Sequence, residues 1–267
     1  MSAAPRKERV DLLLVARGLA DSREKARAFV LAGLVYVGER RIDKAGDTLP
    51  MECVLTVRGR DHEYVSRGGV KLAGALDAFA LDPRGLVCAD FGASTGGFTD
   101  VLLRRGAARV YAIDVGYGQL HPTLRNDARV VVMDRTNARN LAPGALPETL
   151  DLVVIDASFI SLAKLLPAAK ALLRAAAADA PGGEIVAMVK PQFEVGRGNL
   201  GKRGVVRDAT VRGEAITAVE DSARALGLVV LGRCDSVLAG PEGNVEAFLR
   251  LGLSGAQRAV PEHGFEP

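Results

Sequence analysis

Five charged residues each stand at the end of a short apolar run, and together they predict a site at one edge of a sheet. They are Asp90, Asp114, Asp134, Asp156 and Lys190. Ligands of open parallel sheets bind beyond the carboxyl ends of the strands. A lysine that is kept partly neutral can take the proton of a weakly acidic hydroxyl, and carboxylates beside it can orient its amine. The pattern therefore indicates a ligand site at this edge, the alternative being that the five charged residues lie on solvated loops.

The glycine-rich turn 90–100 is the predicted centre of the site. It follows the apolar run 85–89 and precedes residues at helical spacing, so bare backbone can approach a ligand there. Asp90 is placed to accept a hydrogen bond from a ligand amine. Asp114 ends the next apolar run, about 20 residues on, which is the spacing of a carboxylate that accepts both hydroxyls of a ribose. The alternative is a tight turn that binds no ligand, and the position of Asp114 makes this alternative less favoured.

The turn also narrows the class of ligand. It reads neither G-x-G-x-x-G nor G-x-x-x-x-G-K-[ST], so neither a dinucleotide nor a nucleoside triphosphate is favoured. Its form, Asp-Phe-Gly-x-x-x-Gly-Gly-Phe, resembles the S-adenosylmethionine (SAM) site of the methyltransferases related to FtsJ. The resemblance implies SAM as the cofactor. The implied cofactor-binding residues are Asp90, Phe91, Gly92, Ala93, Ser94, Gly96, Gly97, Phe98, Asp114, Asp134 and Asp156.

Four residues resemble the Lys-Asp-Lys-Glu tetrad of FtsJ-type ribose 2′-O-methyltransferases. They are Lys71, Asp156, Lys190 and Glu246. The resemblance implies that these four are the catalytic residues, with a lysine as general base and the carboxylates orienting both amines. By its own position Lys71 is ambiguous, because it lies off the apolar stripe of its predicted helix, where a lysine is usually solvated.

The elements that must position these residues alternate between strands and helices. The predicted strands are 85–89, 109–113, 130–133, 152–155, 185–189, 226–231 and 245–251. This alternation predicts an α/β fold with a mostly parallel seven-stranded sheet and helices on both faces, as in Rossmann-like class I SAM-dependent methyltransferases. A helix over 162–177 is expected to kink at Pro167.

The N-terminal segment carries the whole basic excess. Residues 1–60 hold 12 Lys/Arg against 8 Asp/Glu, a balance of +4, so the remaining residues sum to −1. This distribution indicates a nucleic-acid partner, the alternative being a merely solvated surface. Two helices and short strands are predicted here, with Asp21 and Glu24 as a capping pair that opens the second helix.

About 40 residues of this segment resemble the S-four RNA-binding domain, a small α+β fold. The match includes Arg9-Val10-Asp11, Ser22-Arg23, Gly33 and Val35, and it ends at Lys44. Arg23, Arg27 and Lys44 are expected to meet backbone phosphates, which fix position and not sequence. The full set of expected RNA-binding residues is Arg6, Arg9, Arg23, Arg27, Arg41, Lys44 and Arg67.

With both parts considered, the chain resembles the TlyA (hemolysin A) family over residues 6–253. The most specific segments are Ser66-Arg67-Gly68-Gly69-x-Lys71, the turn 90–98, Val189-Lys190-Pro191-Gln192-Phe193 and Gly240-Pro241-x-Gly243-Asn244-x-Glu246. The resemblance implies 2′-O-methylation of cytidine in small-subunit rRNA, in some members also large-subunit rRNA. The expected organisation is an RNA-binding domain over 6–60, a linker over 61–65, a methyltransferase domain over 66–253 and a tail over 254–267.

Composition and motifs limit the alternatives. Three scattered cysteines, three distant histidines, a polar N-terminus and no apolar run of 18 residues favour a cytoplasmic protein without a metal site or membrane segment. These features disfavour a pore-forming hemolysin, and the sequence after the fourth strand, Asp156-Ala157-Ser158-Phe159, is not that of an amino methyltransferase. A non-catalytic RNA-binding protein stays open. Ribosomal RNA or ribosomal subunits are the expected partners, without DNA, and the oligomeric state is left open.

The loop 192–207 is glycine-rich and basic. Two interpretations stay open for it: a mobile lid that folds over RNA, or a disordered surface loop.

Overall fold

The structure, a computed structural model, describes residues 7–20, 22–57, 63–177, 181–196, 200–201, 204–240 and 243–253. These residues fall into two compact units. The first contains the described residues up to Val65 together with His121–Thr123, and the second contains the other described residues.

The described residues before Val65 form two helices and five short strands around a small apolar core. The elements are β1 (Lys7–Arg9), α1 (Val10–Ala16), α2 (Arg23–Leu31), β2 (Val35–Val37), β3 (Arg40–Arg41), β4 (Thr48–Pro50) and β5 (Leu55–Val57). Strand β1 pairs with β4, and β2 lies between β3 and β5, all antiparallel. The core is lined by Val10, Leu13, Leu14, Ala20, Ala26, Val30, Val35, Ile42, Leu49 and Leu55.

The capping pair predicted for α2 is wrong. Ser22 is the N-cap residue, and its side chain accepts a hydrogen bond from the backbone N–H of Lys25. A serine hydroxyl at this position satisfies an N–H that has no partner within the helix. Asp21 itself lies outside the described residues.

The chain after Val65 alternates between strands and helices, as predicted. Its elements are α3 (Arg67–Ala78), β6 (Val87–Phe91), α4 (Gly97–Arg104), β7 (Arg109–Ile113), α5 (Pro122–Arg125), β8 (Val130–Met133), β9 (Leu152–Ile155), α6 (Leu166–Leu172), β10 (Glu184–Val189), α7 (Pro191–Glu194), α8 (Ala209–Ala225), β11 (Leu228–Asp235) and β12 (Ala247–Leu253), with 3₁₀ turns at Ala138–Asn140 and Leu162–Lys164.

The seven strands β6 to β12 form one mostly parallel sheet in the order β11-β12-β10-β9-β6-β7-β8. The predicted α/β fold with a mostly parallel seven-stranded sheet is thereby confirmed. Strand β12 runs antiparallel to both its neighbours, so its first residue, Ala247, pairs with the last residue of β10, Val189. Glu246, which directly precedes β12, is therefore placed at the edge where the parallel strands end. This reversal brings a residue from late in the chain to the predicted site.

The helix predicted over 162–177 is shorter and divided. A 3₁₀ turn at Leu162–Lys164 precedes α6, which ends at Leu172. Pro167 lies in the first turn of α6 and does not kink a longer helix, because the first turn needs no N–H donor from it. Beyond α6, Leu173 forms an isolated bridge with Leu150.

Among the residues that the structure describes, no helix combines the length and the apolar character needed to cross a membrane.

Candidate active site

The predicted site residues lie where the parallel strands end. Asp90 is the penultimate residue of β6, and Asp114, Asp134 and Asp156 directly follow β7, β8 and β9. Lys190 directly follows β10. The apolar runs form the strands because they are buried within the sheet, and the first polar side chain after each run then falls at the same edge.

Lys190 and Asp156 form an ion pair between neighbouring strand ends. The Lys190 Nζ lies 2.5 Å from Asp156 Oδ1 and donates a hydrogen bond of 2.9 Å to Ser158 Oγ. The Lys190 side chain is only 11% exposed, so its amine is held in one place while one side of the pair stays open to solvent. The amine is therefore fixed where a bound hydroxyl can reach it.

A second lysine–carboxylate pair is almost fully buried. Lys71, on the second turn of α3, pairs with Glu246, and their side chains are 8% and 2% exposed. The option that Lys71 is solvated is therefore wrong. The first turn of α3 also adjoins the first pair, since a Cβ on Gly68 would lie 3.7 Å from Asp156 Oδ2. Helix α3 therefore supplies Lys71, and its first turn lies next to Asp156, the carboxylate that pairs with Lys190.

Asp90 is a fully buried carboxylate that is held by Thr99. Its Oδ2 accepts hydrogen bonds from the N–H and hydroxyl of Thr99, at 2.9 and 2.7 Å, while Oδ1 has no partner among the described residues. The pKa of Asp90 is raised to about 7, mainly by burial and also by the nearby charges of Asp156 and Asp114, although the hydrogen bonds from Thr99 lower it. Buried polar atoms are nearly always paired, so this oxygen indicates a missing donor such as a ligand amine.

Asp114 ties the glycine-rich turn to the end of β7. Its Oδ2 accepts from the N–H of Ser94 at 2.8 Å and its Oδ1 from the N–H of Gly116 at 2.7 Å. Each carboxylate oxygen keeps a second lone pair, so Asp114 can still accept two ribose hydroxyls.

Asp134 is engaged by the protein itself. Arg125 donates to its Oδ2 at 2.8 Å and Gly118 N–H at 3.2 Å. The hydrogen bond from Arg125 is the main reason why the pKa of Asp134 lies below its ordinary value. Its predicted contact with a cofactor stays a prediction.

The glycines of the turn are required by the packing of the protein. A Cβ on Gly97 would collide with Ser66 Oγ at the N-terminus of α3, and one on Gly96 would collide with the side chain of Leu124. A Cβ on Gly92 would lie 2.8 Å from the backbone oxygen of Asp156. Gly96 also caps α4 with a φ of 94°, a conformation that L side chains rarely adopt. From the sequence, these glycines were explained only by the space that a ligand needs, and packing within the protein is a second reason for them.

The apolar residues of the turn lie inside the domain. Phe91 and Phe98 are fully buried, Ala93 is buried, and the Phe98 ring centroid lies 6.1 Å from that of Phe248. Ser94 is the exposed member of the predicted cofactor-binding set in this turn. The two phenylalanines therefore support the turn from beneath.

Sequence reasoning missed an exposed aromatic residue beside the first pair. Phe159 is 90% exposed, has a φ of 64°, and its ring centroid lies 5.2 Å from that of Phe193. Glu194 anchors this loop, because its carboxylate accepts from Ser161 Oγ at 2.6 Å and from Leu162 N–H at 2.9 Å. Burial raises the pKa of Glu194 above its ordinary value. The sequence did contain a signal for this residue, because Phe159 comes only three residues after the predicted catalytic residue Asp156.

The loop 192–207 is only partly described. Near its end, the buried Asn244 accepts from Val206 N–H at 2.9 Å and donates to the Gly204 oxygen at 3.2 Å. Asn244 therefore fixes this part of the loop to the segment that carries Glu246. Residues 197–199 and 202–203 lie outside the described residues, and the lid stays a prediction.

Three of the expected RNA-binding residues meet in the first unit. Arg9, Arg23 and Arg27 all contact the buried carboxylate of Asp11. The other expected residues are dispersed: Arg41 pairs with Asp43 at 2.8 Å, Lys44 and Arg67 are exposed, and Arg6 lies outside the described residues.

Comparison with known proteins decides the family. The family model for FtsJ-like methyltransferases matches residues 64–253, and that for the S4 domain matches residues 8–52. A Mycobacterium tuberculosis protein named 16S/23S rRNA (cytidine-2′-O)-methyltransferase TlyA is 50% identical over 262 residues, covering 98% of this chain and 95% of that protein. The chain belongs to the TlyA family.

Other TlyA relatives carry a different name. Hemolysin A of Brachyspira hyodysenteriae is 36% identical over 244 residues, covering 89% of this chain and 97% of that protein. A solved structure from Streptococcus thermophilus, whose name marks it provisionally as a hemolysin, is 41% identical with a TM-score of 0.72, covering 97% of this chain and 93% of that one. As a TlyA member with both domains, the chain is an FtsJ-like methyltransferase with an S4 domain.

Proposed function

We propose that this TlyA-family chain transfers a methyl group from SAM to the 2′-hydroxyl of cytidine in ribosomal RNA. The observation that carries the proposal is the Lys190–Asp156 pair, held at the strand ends beside the glycine-rich turn. The M. tuberculosis relative is named for methylation of cytidine in 16S and 23S rRNA, which supports cytidine in both subunit rRNAs as the substrate. A relative from Campylobacter jejuni is named for 23S rRNA alone, so relatives differ in the subunit that their names specify.

The residues at the turn fit SAM. The buried Oδ1 of Asp90, which has no partner within the described parts of the chain, suits the ammonium group of the methionine part. Both oxygens of Asp114 suit the ribose hydroxyls. When bound, SAM supplies an electrophilic methyl group on its sulfonium.

Lys190 acts on the other reactant. A ribose 2′-hydroxyl is a very weak acid, so it needs a base to attack a methyl group. In its unprotonated form, Lys190 takes that proton on Nζ, while Asp156 and Ser158 fix the position of the amine. The buried Lys71–Glu246 pair holds α3 in its place beside Asp156. Much of the rate enhancement then comes from alignment of the two reactants.

The exposed Phe159 supports an RNA substrate. Sequence-specific proteins bind RNA mostly at unpaired bases, which stack on aromatic side chains. A phenylalanine that is 90% exposed next to the predicted base catalyst offers such a surface to the target nucleotide.

The test is Lys190→Ala in the full chain, with Lys164→Ala as control, since Lys164 is an exposed lysine on a 3₁₀ turn. Methyl transfer to rRNA should fall by about 10²–10⁴-fold in the first variant. The affinity for SAM, measured by calorimetry, should stay nearly unchanged, and the control should match the wild type. Wild-type turnover by Lys190→Ala would contradict the mechanism.

The target is tested separately. Nucleoside mass spectrometry of rRNA from cells with and without the protein should show the loss of one 2′-O-methylated cytidine. Unchanged rRNA would favour a non-catalytic, RNA-binding role.

A further inference from the structure

A fully buried carboxylate lies beneath three arginines in the first unit. Asp11, the second residue of α1, is 0% exposed. Arg9 donates to both of its oxygens, at 2.9 and 3.0 Å. Arg23 and Arg27, which lie one turn apart on α2, donate to its Oδ2 at 3.2 and 3.3 Å. One carboxylate therefore connects the last residue of β1 with two successive turns of α2.

The arginines remain available to a ligand. Their side chains are 41%, 51% and 57% exposed for Arg9, Arg23 and Arg27, although each contacts Asp11. The Arg9 guanidinium, followed by that of Arg23, holds the pKa of Asp11 well below its usual range despite the burial. Asp11 is therefore ionised throughout the physiological range, and the four side chains carry a net charge of +2.

Without Asp11, these guanidinium groups would repel one another. Like charges at such distances disfavour a shared position, and long arginine side chains would spread into solvent. The carboxylate offsets the repulsion and fixes the three groups on one face. A planar guanidinium that is held in place loses less entropy when it binds a phosphate.

Backbone hydrogen bonds bring the segment that contains Lys44 next to the start of α1. The N–H groups of Val10 and Asp11 donate to the oxygens of Asp47 and Ala45, at 2.9 and 3.0 Å. These bonds fix the turn that begins at Lys44 next to the start of α1.

We propose that Asp11 is a positioning residue for RNA binding: it gathers Arg9, Arg23 and Arg27 into one site for neighbouring phosphates of an RNA backbone. The proposal rests on the proposed function, since it takes rRNA as the ligand. It assigns to a buried acidic residue a role in binding a polyanion, which net charge alone would not suggest.

The decisive variant is Asp11→Asn, because two explanations predict opposite signs for it. The substitution removes a negative charge from beneath a basic face, so general attraction between charges predicts tighter RNA binding. If Asp11 positions the arginines, the affinity at about 0.15 M salt should instead fall on the order of tenfold. The logarithmic salt slope should also become shallower by roughly 0.7–0.9 for each phosphate contact that is lost.

Asp43→Asn is the matched control. Asp43 also pairs with an arginine, Arg41, at 2.8 Å, but it is 67% exposed. The control makes the same change in charge within the same unit and should leave RNA affinity unchanged or slightly higher. Asp11→Asn that binds RNA as tightly as the control would overturn the proposal.

Stability and positioning are separated by further measurements. Circular dichroism and SAM affinity on the full-length variants verify that the protein is folded at the assay temperature. If Asp11→Asn unfolds the first unit, the pair Arg23→Gln and Arg27→Gln gives the answer instead. Groups that act as one site should be non-additive, so the double variant should lose less affinity than the two single losses combined. Strict additivity would overturn the proposal.

Failure of the proposed function would look different. If methyl transfer fails, nucleoside mass spectrometry shows unchanged rRNA, whatever the affinity of Asp11→Asn. If rRNA is not the ligand, the wild-type chain shows no salt-dependent affinity for it. If the wild type binds rRNA and Asp11→Asn binds it equally or more tightly, only the positioning role fails.

Discussion

Replacing Asp90 by asparagine should stabilise the protein above neutral pH and weaken the binding of SAM. The carboxylate is fully buried, and one of its oxygens has no donor among the described residues. Asparagine keeps an acceptor for Thr99 and carries no charge, so it removes the desolvation that the ionised form suffers.

The magnitude follows from the two pKa values. The folded-state pKa of about 7 lies above the ordinary 3.8, so the folded protein keeps this proton when the unfolded chain has lost it. Between about pH 4 and 7 the folded state binds more protons, and the free energy of unfolding therefore falls as pH rises. The gap of about three pH units corresponds to on the order of 4 kcal/mol, at 1.36 kcal/mol per unit. This loss is absent below about pH 4 and complete above about pH 7.

Urea unfolding of both proteins from pH 4 to 8.5, without SAM, measures the effect. All other titrating groups are shared, so the difference between the two curves isolates Asp90. It should grow by on the order of 4 kcal/mol in favour of Asp90→Asn as pH rises through this window. In calorimetry, the affinity of the wild type for SAM should weaken as pH falls below about 7, whereas the variant should bind weakly at every pH. Parallel unfolding curves would show that Asp90 ionises near its ordinary pKa and would refute the reasoning.

Substitutions at Glu246, Gly97 and Phe159 test other parts of the site, and the first two have a matched second variant. Glu246→Ala leaves the Lys71 ammonium buried without a partner and should cost about 3–5 kcal/mol in urea unfolding, and Lys71→Met with Glu246→Leu should recover most of it. Gly97→Ala should cost about 1–3 kcal/mol because α3 packs against that position. Gly213→Ala, on a helix where a Cβ meets nothing within 4 Å, should instead stabilise by about 0.5–1 kcal/mol. Phe159→Ala should change the free energy of unfolding by less than about 0.5 kcal/mol, yet lower kcat/KM for rRNA on the order of tenfold. Equal kcat/KM would exclude Phe159 from substrate binding.

The sequence predicted the sheet and its active edge because both depend on a local pattern. An apolar run that ends in a charged residue indicates a buried strand and its end together. This reasoning placed Asp114, Asp134, Asp156 and Lys190 correctly at strand ends. It could not predict the order of the strands, because pairing depends on contacts that are distant in sequence.

Other features required three-dimensional contacts. By its position alone Lys71 resembled a solvated lysine, and only the family resemblance grouped it with Glu246. The reversal of β12 is what brings Glu246 to it. The clash that a side chain on Gly97 would make with Ser66 joins positions 31 residues apart, so a motif confined to the turn does not contain it. The predicted kink at Pro167 was wrong because α6 begins at Leu166, and proline fits the first turn of a helix as well as it disrupts a helix interior.

The packing around the glycine-rich turn bears on how relatives of this chain are judged. Gly92, Gly96 and Gly97 each adjoin atoms of the protein that leave no room for a Cβ. A descendant that had lost methyl transfer would still be less stable without these glycines, so selection for stability would favour them in a pseudoenzyme. The Lys190–Asp156 pair makes no comparable demand on packing, since its members are partly exposed. Among divergent relatives, an intact glycine-rich turn therefore indicates common ancestry. The presence of the Lys190–Asp156 pair is the better indication that the protein is still an active enzyme.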